Sequence, residues 1–336
     1  MTRGRLAGAS TALGALLAIV AGIFVGRALV REWDEVSSSL SDASPGWIVI
    51  AGVLAMAGMT AIALPWRHAL RMLGADLSWG HTIARYYLGE IGKYVPGGVW
   101  PVLGRGELAR RAGVRRAPAY SSVALSLITL YLAAMFLALL GVPALLDRGS
   151  SGYMWVLLLL PLGLIALHHA VLERVRSLAE RILHRRIGAT IPRWRDTLSL
   201  VVMYVPAWLL IGTATWAVAR GLGQDVGWLD VAPAAVLSWV VGFVLVPVPG
   251  GVGVREAAFV AAVSGMDSGV AAATAVLARA LFVLVDAVGA LTASGWLARH
   301  RLSGRSGSDD AAAEADGTGE AGEPDEAAEP AGSPAL

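Results

Sequence analysis

The chain has 336 residues, of which 56% are hydrophobic and only 15% are charged, a composition that excludes an ordinary soluble enzyme and predicts an integral membrane protein. Cysteine is absent, which rules out disulfides, thiol catalysis and thiolate metal sites. The net charge of +2 conceals an asymmetry, because nine acidic residues and no basic ones follow Arg305, leaving 27 basic against 16 acidic residues in the rest. The basic excess favours contact with anionic lipid headgroups. It does not indicate nucleic acid, since the bases lie in short loops.

Apolar runs predict six full membrane spans and two helical hairpins. Each full span is long enough to cross the hydrocarbon core of a bilayer as a helix. The hairpins are shorter and are interrupted by proline and glycine. In chain order, the sequence predicts spans at 6–30 and 46–66, a hairpin at 79–112, spans at 117–141, 152–170 and 197–219, a second hairpin at 231–264 and a last span at 270–297.

The distribution of basic residues predicts how these elements are oriented. Residues 67–116 carry nine basic against three acidic residues, and residues 171–196 carry seven against three. The positive-inside rule places both stretches in the cytoplasm. Arg299 and Arg301 follow the last span and place the C-terminus on the same side. We therefore expect a multi-pass protein of the plasma membrane with both termini in the cytoplasm.

One five-residue motif interrupts both hairpins. Val95–Val99 and Val248–Val252 have the same sequence, Val-Pro-Gly-Gly-Val, and each copy is followed by an arginine and a glutamate. Proline removes a backbone donor and glycine loosens a helix, so neither stretch continues a regular span. Irregular backbone at membrane depth is tolerated only where it is buried in protein or lines a wet cavity. The bland alternative is a pair of Gly/Pro turns at helix ends.

The loop charges orient the two hairpins oppositely, with the first open to the cytoplasm and the second open to the outside. Two broken helices at corresponding places of an inverted repeat indicate the substrate site of a transporter. The predicted fold is therefore an all-α, polytopic membrane helix bundle with six full spans and two broken, re-entrant hairpins, over residues 1–302. Residues 303–336 are rich in Gly, Ala, Ser, Pro and acid and predict a disordered cytoplasmic tail.

The motif glycines are candidates for a substrate-binding backbone. Without side chains, they let backbone N–H groups approach a ligand closely, and the helix that follows points its positive end at the same place. This combination suits an anion, and phosphate in particular. The four glycines concerned are Gly97, Gly98, Gly250 and Gly251.

Three cations near the motifs are further candidates for binding substrate. Arg105 and Arg255 follow the two copies, and a guanidinium group matches the geometry of phosphate. Lys93 lies just before the first copy. The alternative for Arg105 is a residue at the membrane interface that pairs with Glu107. The predicted topology places Arg255 deeper than Arg105.

Two charged residues lie within the last predicted span. Placing the charged side chains of Arg279 and Asp286 in a membrane span costs free energy, and such residues usually face a protein interior or a water-filled path. They are seven residues apart, so we expect them to meet different partners rather than each other. Glu256 is the predicted partner of Arg279, in an ion pair that is either fixed or moves during function. Glu90 lies three residues before Lys93, a spacing at which the two can pair.

No motif for a cofactor or for catalysis is present. The sequence lacks a phosphate-binding loop of the nucleotide-hydrolysing type, a dinucleotide fingerprint, a nucleophile elbow and a metal-hydrolase helix. We therefore expect no cofactor, no metal and no enzymatic activity.

The stretches Gly92–Arg105 and Pro247–Ala257 resemble the signature regions of the lysylphosphatidylglycerol synthase transmembrane family, also called flippase-like. The resemblance covers about residues 6–300. It implies a domain similar to the membrane half of bacterial lysylphosphatidylglycerol synthases, which moves the aminoacylated lipid between leaflets; relatives occur with polyprenol-linked sugar pathways. The chain lacks the soluble aminoacyl-transfer domain of the full synthases, so aminoacylation by this chain alone is not expected.

The expected function is translocation of a polar-headed lipid, either anionic or linked to polyprenyl phosphate. The expected partners are that lipid and the bilayer. An alternative from another class is a membrane subunit that presents a lipid to a separate transferase for aminoacyl-lipid or glycolipid synthesis. A purely structural role is a third.

Overall fold

The computed structural model describes residues 43–95, 100–143, 192–244 and 253–317, with side chains up to residue 300, and a few isolated positions between 144 and 191. Within these ranges the secondary structure is helical and contains no strand, in agreement with the predicted all-α fold. The α-helices of these ranges are α1 (Pro45–Met72), α2 (Trp79–Glu90), α3 (Trp100–Arg111), α4 (Arg116–Ala138), α5 (Trp194–Gly221), α6 (Trp228–Val244), α7 (Val254–Ala262) and α8 (Ser268–Gly317). Short 3-10 turns at Ile91–Tyr94 and Leu139–Gly141 follow α2 and α4.

Four of the described helices are long and apolar enough to cross a membrane: α1, α4 with its 3-10 turn, α5, and α8 as far as His300. They coincide with the predicted spans at 46–66, 117–141, 197–219 and 270–297. Their outer faces carry exposed apolar side chains such as Val53, Val202 and Leu284, which suit contact with lipid tails. The predicted spans at 6–30 and 152–170 lie outside the described residues and stay predictions.

The last helix is longer than predicted. It continues past residue 302, where the sequence predicts a disordered tail, and ends at Gly317. The run from Ala311 to Ala315 consists of alanines and one glutamate, which are strong helix formers, and Gly317 follows them as a helix-ending residue. The chain divides into two units between Ala293 and Ser294. Residues 318–336 lie outside the described part.

Both predicted hairpins are present as pairs of packed helices. Helices α2 and α3 form hairpin 1, and helices α6 and α7 form hairpin 2. Ser78 caps the start of α2, and its hydroxyl oxygen accepts a hydrogen bond from the backbone N–H of His81. Residues 96–99 and 245–252, which contain nearly all of the repeated motif, lie outside the described residues.

Helices α1 and α5 end in the same kind of turn. Leu73-Gly74-Ala75-Asp76 follows α1 and Leu222-Gly223-Gln224-Asp225 follows α5. Both second-position glycines have φ of +76°, a backbone conformation that favours glycine. The residue after each glycine donates its N–H to a carbonyl five residues back, at 2.9 Å in the first turn and 3.1 Å in the second. A long helix, this turn, a hairpin and another long helix thus occur twice.

The first helices of the two halves run in opposite directions. Ser44 at the start of α1 donates its backbone N–H to the carbonyl of Gly221 at the end of α5, at 2.8 Å. Further along, Gly58 of α1 lies against Ile211 of α5. Helix α4 lies beside α5 in the parallel sense, because Ser126 bonds to Tyr204 and Trp208 donates to the carbonyl of Leu130 at 2.7 Å. Helices α1, α4 and α5 therefore pack side by side, with α5 antiparallel to α1 and parallel to α4.

Candidate functional site

Charged side chains gather beside the two hairpin breaks. They come from hairpin 1, hairpin 2 and α8, and several are almost completely buried. Each lies within salt-bridge or cation–π distance of another member of the group or of an aromatic ring. We call this set the charged cluster: Glu90, Lys93, Arg105, Arg255, Glu256, Arg279 and Asp286.

Asp286 of α8 contacts hairpin 1 at the 3-10 turn that follows α2. Its side chain is 0% exposed. The ammonium of Lys93 lies 2.6 Å from its Oδ2, and the hydroxyl of Tyr94 donates to the same oxygen at 2.7 Å. The other carboxylate oxygen, Oδ1, has no hydrogen-bond partner among the described residues. Lys93 and Tyr94 directly precede the motif, so Asp286 contacts hairpin 1 at the point where its helix is interrupted.

Glu90 holds two cations of hairpin 1. Its carboxylate lies 3.4 Å from the Nζ of Lys93 and 3.4 Å from an Nη of Arg105. The sequence spacing of Glu90 and Lys93 is thus matched by a contact. The guanidinium of Arg105 also lies 5.5 Å from the ring of Tyr86 and 6.0 Å from that of Trp66, within cation–π range.

Arg105 is far more buried than the sequence indicated. It is 1% exposed and pairs with Glu90, so the alternative of an interfacial pair with Glu107 is wrong. Glu107 instead accepts hydrogen bonds from Arg110 and Arg111 on the outer face of α3, and the bond from Arg110 lowers its pKa to about 2. Arg255 is half-buried, and its greater depth in the membrane stays a prediction. Helix α3 packs on α2 and α4 with the Arg105 side inward, which the charge pattern of the loop did not reveal.

Trp239 of α6 is the point where the two hairpins meet. The guanidinium of Arg255, from hairpin 2, lies 3.7 Å from the centre of the indole, and the ammonium of Lys93, from hairpin 1, lies 5.6 Å from it. Both distances allow a cation–π interaction. The indole is packed edge-on against Trp208 and Phe282. Sequence reasoning missed Trp239, because a tryptophan in an apolar run carries no signal that separates it from core.

Glu256 performs two roles at the start of α7. One carboxylate oxygen accepts the backbone N–H of Gly253 at 2.6 Å and so caps the helix. The other accepts a hydrogen bond from Arg279 of α8 at 2.8 Å. The structure therefore shows the predicted Glu256–Arg279 pair, and it shows Arg279 and Asp286 with different partners.

The side chain of each arginine that follows a motif packs directly against a glycine of the same hairpin. A Cβ built on Gly89 would overlap the Cγ of Arg105, and one built on Gly242 would overlap the Cγ of Arg255. Each glycine lies six residues before the first valine of its Val-Pro-Gly-Gly-Val copy. We call these two contacts the glycine notches. Because both glycines have the same spacing from the motif, the sequence repeat includes them as well as the five motif residues.

The cluster carries an excess of positive charge. With ionised side chains, its described members are four cations and three carboxylates, which gives a net charge of +1. Residues 96–99 and 245–252 contain no ionisable side chain and do not alter the count. Buried donor atoms also remain: Nε and Nη1 of Arg105 and Nε of Arg255 have no hydrogen-bond partner among the described residues. Such an arrangement can hold an anion.

A small cavity lies beside hairpin 2. It measures about 20 Å³, which is room for one water-sized group, and it lies where hairpin 2 meets α5 and α8; its lining includes Trp239, Arg255, Glu256 and Arg279. Within the part of the chain that the structure describes, no group of His, Asp and Glu side chains is placed to hold a metal ion.

The structure thus brings together Lys93, Arg105, Arg255, Glu256, Arg279 and Asp286, and it adds Glu90, Tyr94 and Trp239. Gly97, Gly98, Gly250 and Gly251 lie outside the described residues. That any of these residues binds substrate stays a prediction.

One family model matches the chain. It describes the lysylphosphatidylglycerol synthase TM region and matches residues 11–289, most of the sequence, including both hairpins and the charged cluster. No curated protein matches the chain.

Proposed function

We propose that this chain, which belongs to the lysylphosphatidylglycerol synthase transmembrane family, is a lipid translocase. The family links it to membranes and to lipid handling. Its substrate in this proposal is a lipid with a phosphate in its headgroup, either an anionic phospholipid or a polyprenyl-phosphate-linked lipid. The headgroup crosses between the two hairpins while the tails stay in the bilayer.

The observation that carries the proposal is the meeting of both hairpins at Trp239. Lys93 and Arg255 approach one indole from opposite halves of the chain, in a cluster with net positive charge. An unsatisfied buried donor costs about 1–3 kcal/mol, and guanidinium donors of Arg105 and Arg255 are in that state among the described residues. A phosphate oxygen accepting from them would remove the cost. The geometry of phosphate also matches guanidinium donors.

The arrangement of helices supports movement across the membrane. The first helices of the two halves are antiparallel, which is the relation expected of an inverted repeat. In such transporters one half rocks against the other around a central site, and the site opens to each side in turn. Without a nucleotide motif in the sequence, the free energy for net transport comes from a lipid or ion gradient. In this proposal the protein lies in the plasma membrane with both termini cytoplasmic.

A second candidate is a membrane subunit that presents a lipid to a separate transferase. The name of the matched family favours it, because that name refers to the membrane region of a synthase. Movement of lipid by the purified chain alone would separate the two candidates, since a presenting subunit needs its transferase.

The test is a translocation assay with purified protein in vesicles of phosphatidylcholine that contain a fluorescent phosphatidylglycerol. Arg255→Ala should lower the protein-dependent rate about tenfold to hundredfold, because a hydrogen bond to a charged group contributes about 1.5–3 kcal/mol. Arg220→Ala is the control: Arg220, like Arg255, lies near an indole, at 5.8 Å, but it is paired with Asp225 and is outside the cluster. Absence of movement by the unaltered protein, or equal rates in both variants, would contradict the proposal.

A further inference from the structure

Asp286 is placed to take up a proton. It is the only carboxylate of the charged cluster that is 0% exposed; Glu90 and Glu256 are 12% and 17% exposed. A buried carboxylate is stable only while it is paired. Its Oδ2 is bonded to Lys93 and Tyr94, and its Oδ1 is a buried acceptor without a partner among the described residues, available for an O–H bond.

Lys93 connects this carboxylate to the proposed lipid site. It is 20% exposed, against 1% for Arg105 and 4% for Arg279, and it lies beside Trp239 together with Arg255. An anionic headgroup that binds at Trp239 therefore meets the same ammonium that compensates Asp286. Two acceptors on one ammonium nitrogen lie within about 5 Å of each other, and a like charge at that distance disfavours the ionised carboxylate.

We infer that binding of an anionic lipid headgroup at Lys93 is coupled to uptake of one proton by Asp286. The inference rests on the proposed lipid site and names the ion that is coupled to it. The proton comes from water and forms an O–H bond at Oδ1; Lys93 remains an ammonium. One negative charge and one positive charge enter together, so the cluster keeps its net charge of +1.

The other charged and titratable groups around Asp286 do not replace it as the proton acceptor. From hairpin 1, Lys93, Tyr94 and Glu90 face it, with Tyr86 and Tyr87 further along α2. Glu90 is bonded to two cations, so it keeps a partner when Lys93 is drawn to a ligand.

From hairpin 2 and from α8 itself, the nearby charges are Arg255 and the Glu256–Arg279 pair. Glu256 is held by Arg279 and by the N-terminus of α7, and neither contact involves Lys93. Asp286 is thus the carboxylate of the cluster whose negative charge depends most on Lys93 for balance.

The coupling has a measurable consequence because linkage is reciprocal. If one proton enters with each headgroup, affinity for the lipid rises as pH falls, by up to about tenfold per pH unit while Asp286 is ionised in the lipid-free protein. A proton gradient can then drive the lipid across the membrane. A site without the coupling would bind with the same affinity throughout that range.

The experiment is titration calorimetry of the purified, detergent-solubilised full chain with dihexanoyl phosphatidylglycerol. Heats measured in two buffers of different ionisation enthalpy give the number of protons taken up per lipid bound. We expect about one in the unaltered protein. Binding with no proton uptake would overturn this inference and leave the lipid site in place, whereas absence of binding would remove the lipid site itself.

Two variants assign the proton. Asp286→Asn, an uncharged isostere, should take up no proton with the lipid that it binds, and its affinity for the lipid should not vary with pH. Asp225→Asn is the control. Asp225 is a carboxylate that is paired with an arginine, but its side chain is 99% exposed. Proton uptake by this variant should equal that of the unaltered protein. Uptake that persists in Asp286→Asn would overturn the assignment.

Lys93→Gln provides a second route that leaves the carboxylate in place. Without its ammonium, Asp286 should already hold the proton before lipid binds, so the uptake should fall close to zero. Full uptake by Lys93→Gln would overturn the inference even if Asp286→Asn did not fold.

Discussion

The glycine notches predict that adding one methyl group has opposite effects at different helical glycines. At Gly89, a Cβ would overlap the Cγ of Arg105 and would lie 3.1 Å and 3.2 Å from its backbone N and Cα. The backbone of α3 cannot move away without separating α3 from α2. At Gly52 in α1, a Cβ would make an ordinary contact of 3.7 Å with Leu281. Gly52→Ala is therefore the matched control.

The magnitudes follow from two competing effects. Alanine is favoured over glycine in a helix interior by about 0.5–1 kcal/mol. Overpacking a tight interior costs about 1–3 kcal/mol, and here the obstacle includes backbone. Gly52→Ala should therefore raise the free energy of unfolding by about 0.5–1 kcal/mol. Gly89→Ala should lower it by up to about 2.5 kcal/mol, the difference between the two effects.

Gly242→Ala should behave differently from Gly89→Ala. The three atoms nearest to a Cβ on Gly242 all belong to the side chain of Arg255 rather than to backbone. That side chain is half-buried and can turn away, so the loss of stability should be below that of Gly89→Ala. Its guanidinium should then leave the ring of Trp239, and lipid movement should fall even though the protein folds.

The three variants are compared by denaturant unfolding in detergent micelles and by the vesicle assay, with each rate normalised to folded protein. Stability of Gly89→Ala equal to that of Gly52→Ala would refute the notch at Arg105. Normal lipid movement by Gly242→Ala would refute the role of the Arg255–Trp239 contact.

The remaining predictions concern topology, and the cysteine-free chain makes them simple to test with single cysteines and an impermeant thiol reagent. The equivalent turns after α1 and α5 should lie on opposite faces, so Asp76→Cys should react only from the cytoplasm and Asp225→Cys only from outside. Asp267→Cys, between α7 and α8, should react from outside, and Ser306→Cys only from the cytoplasm. Reaction of Asp76→Cys and Asp225→Cys from the same side would contradict the inverted repeat.

The fold could be predicted where the sequence has a local signal. Runs of apolar residues mark α1, α4, α5 and α8, because a helix in lipid must be apolar along its length. Proline and glycine in the repeated motif mark both hairpins. The continuation of α8 past residue 302 was not predicted; the alanine-rich run there forms helix without needing a core.

The sequence predicted most residues of the charged cluster, but only some of the contacts between them. A buried charge needs a partner, and this requirement alone identified Glu256 for Arg279. The contact of Tyr94 with Asp286 joins residues 192 positions apart, and no spacing rule reaches that far. The two alternatives for Arg105 could not be separated, because the charge of a whole loop does not show which face of α3 is buried. Trp239 carries no local signal at all.

The central claim is that both hairpins form one anion site, and the motif glycines test it most directly. Gly98→Ala and Gly251→Ala should each remove most of the lipid movement in vesicles, and the double variant should lose little more, since both alter one site. Ordinary turns would tolerate each alanine at a cost of about 1 kcal/mol or less, independently of the other. Near-normal lipid movement in both single variants would contradict the account.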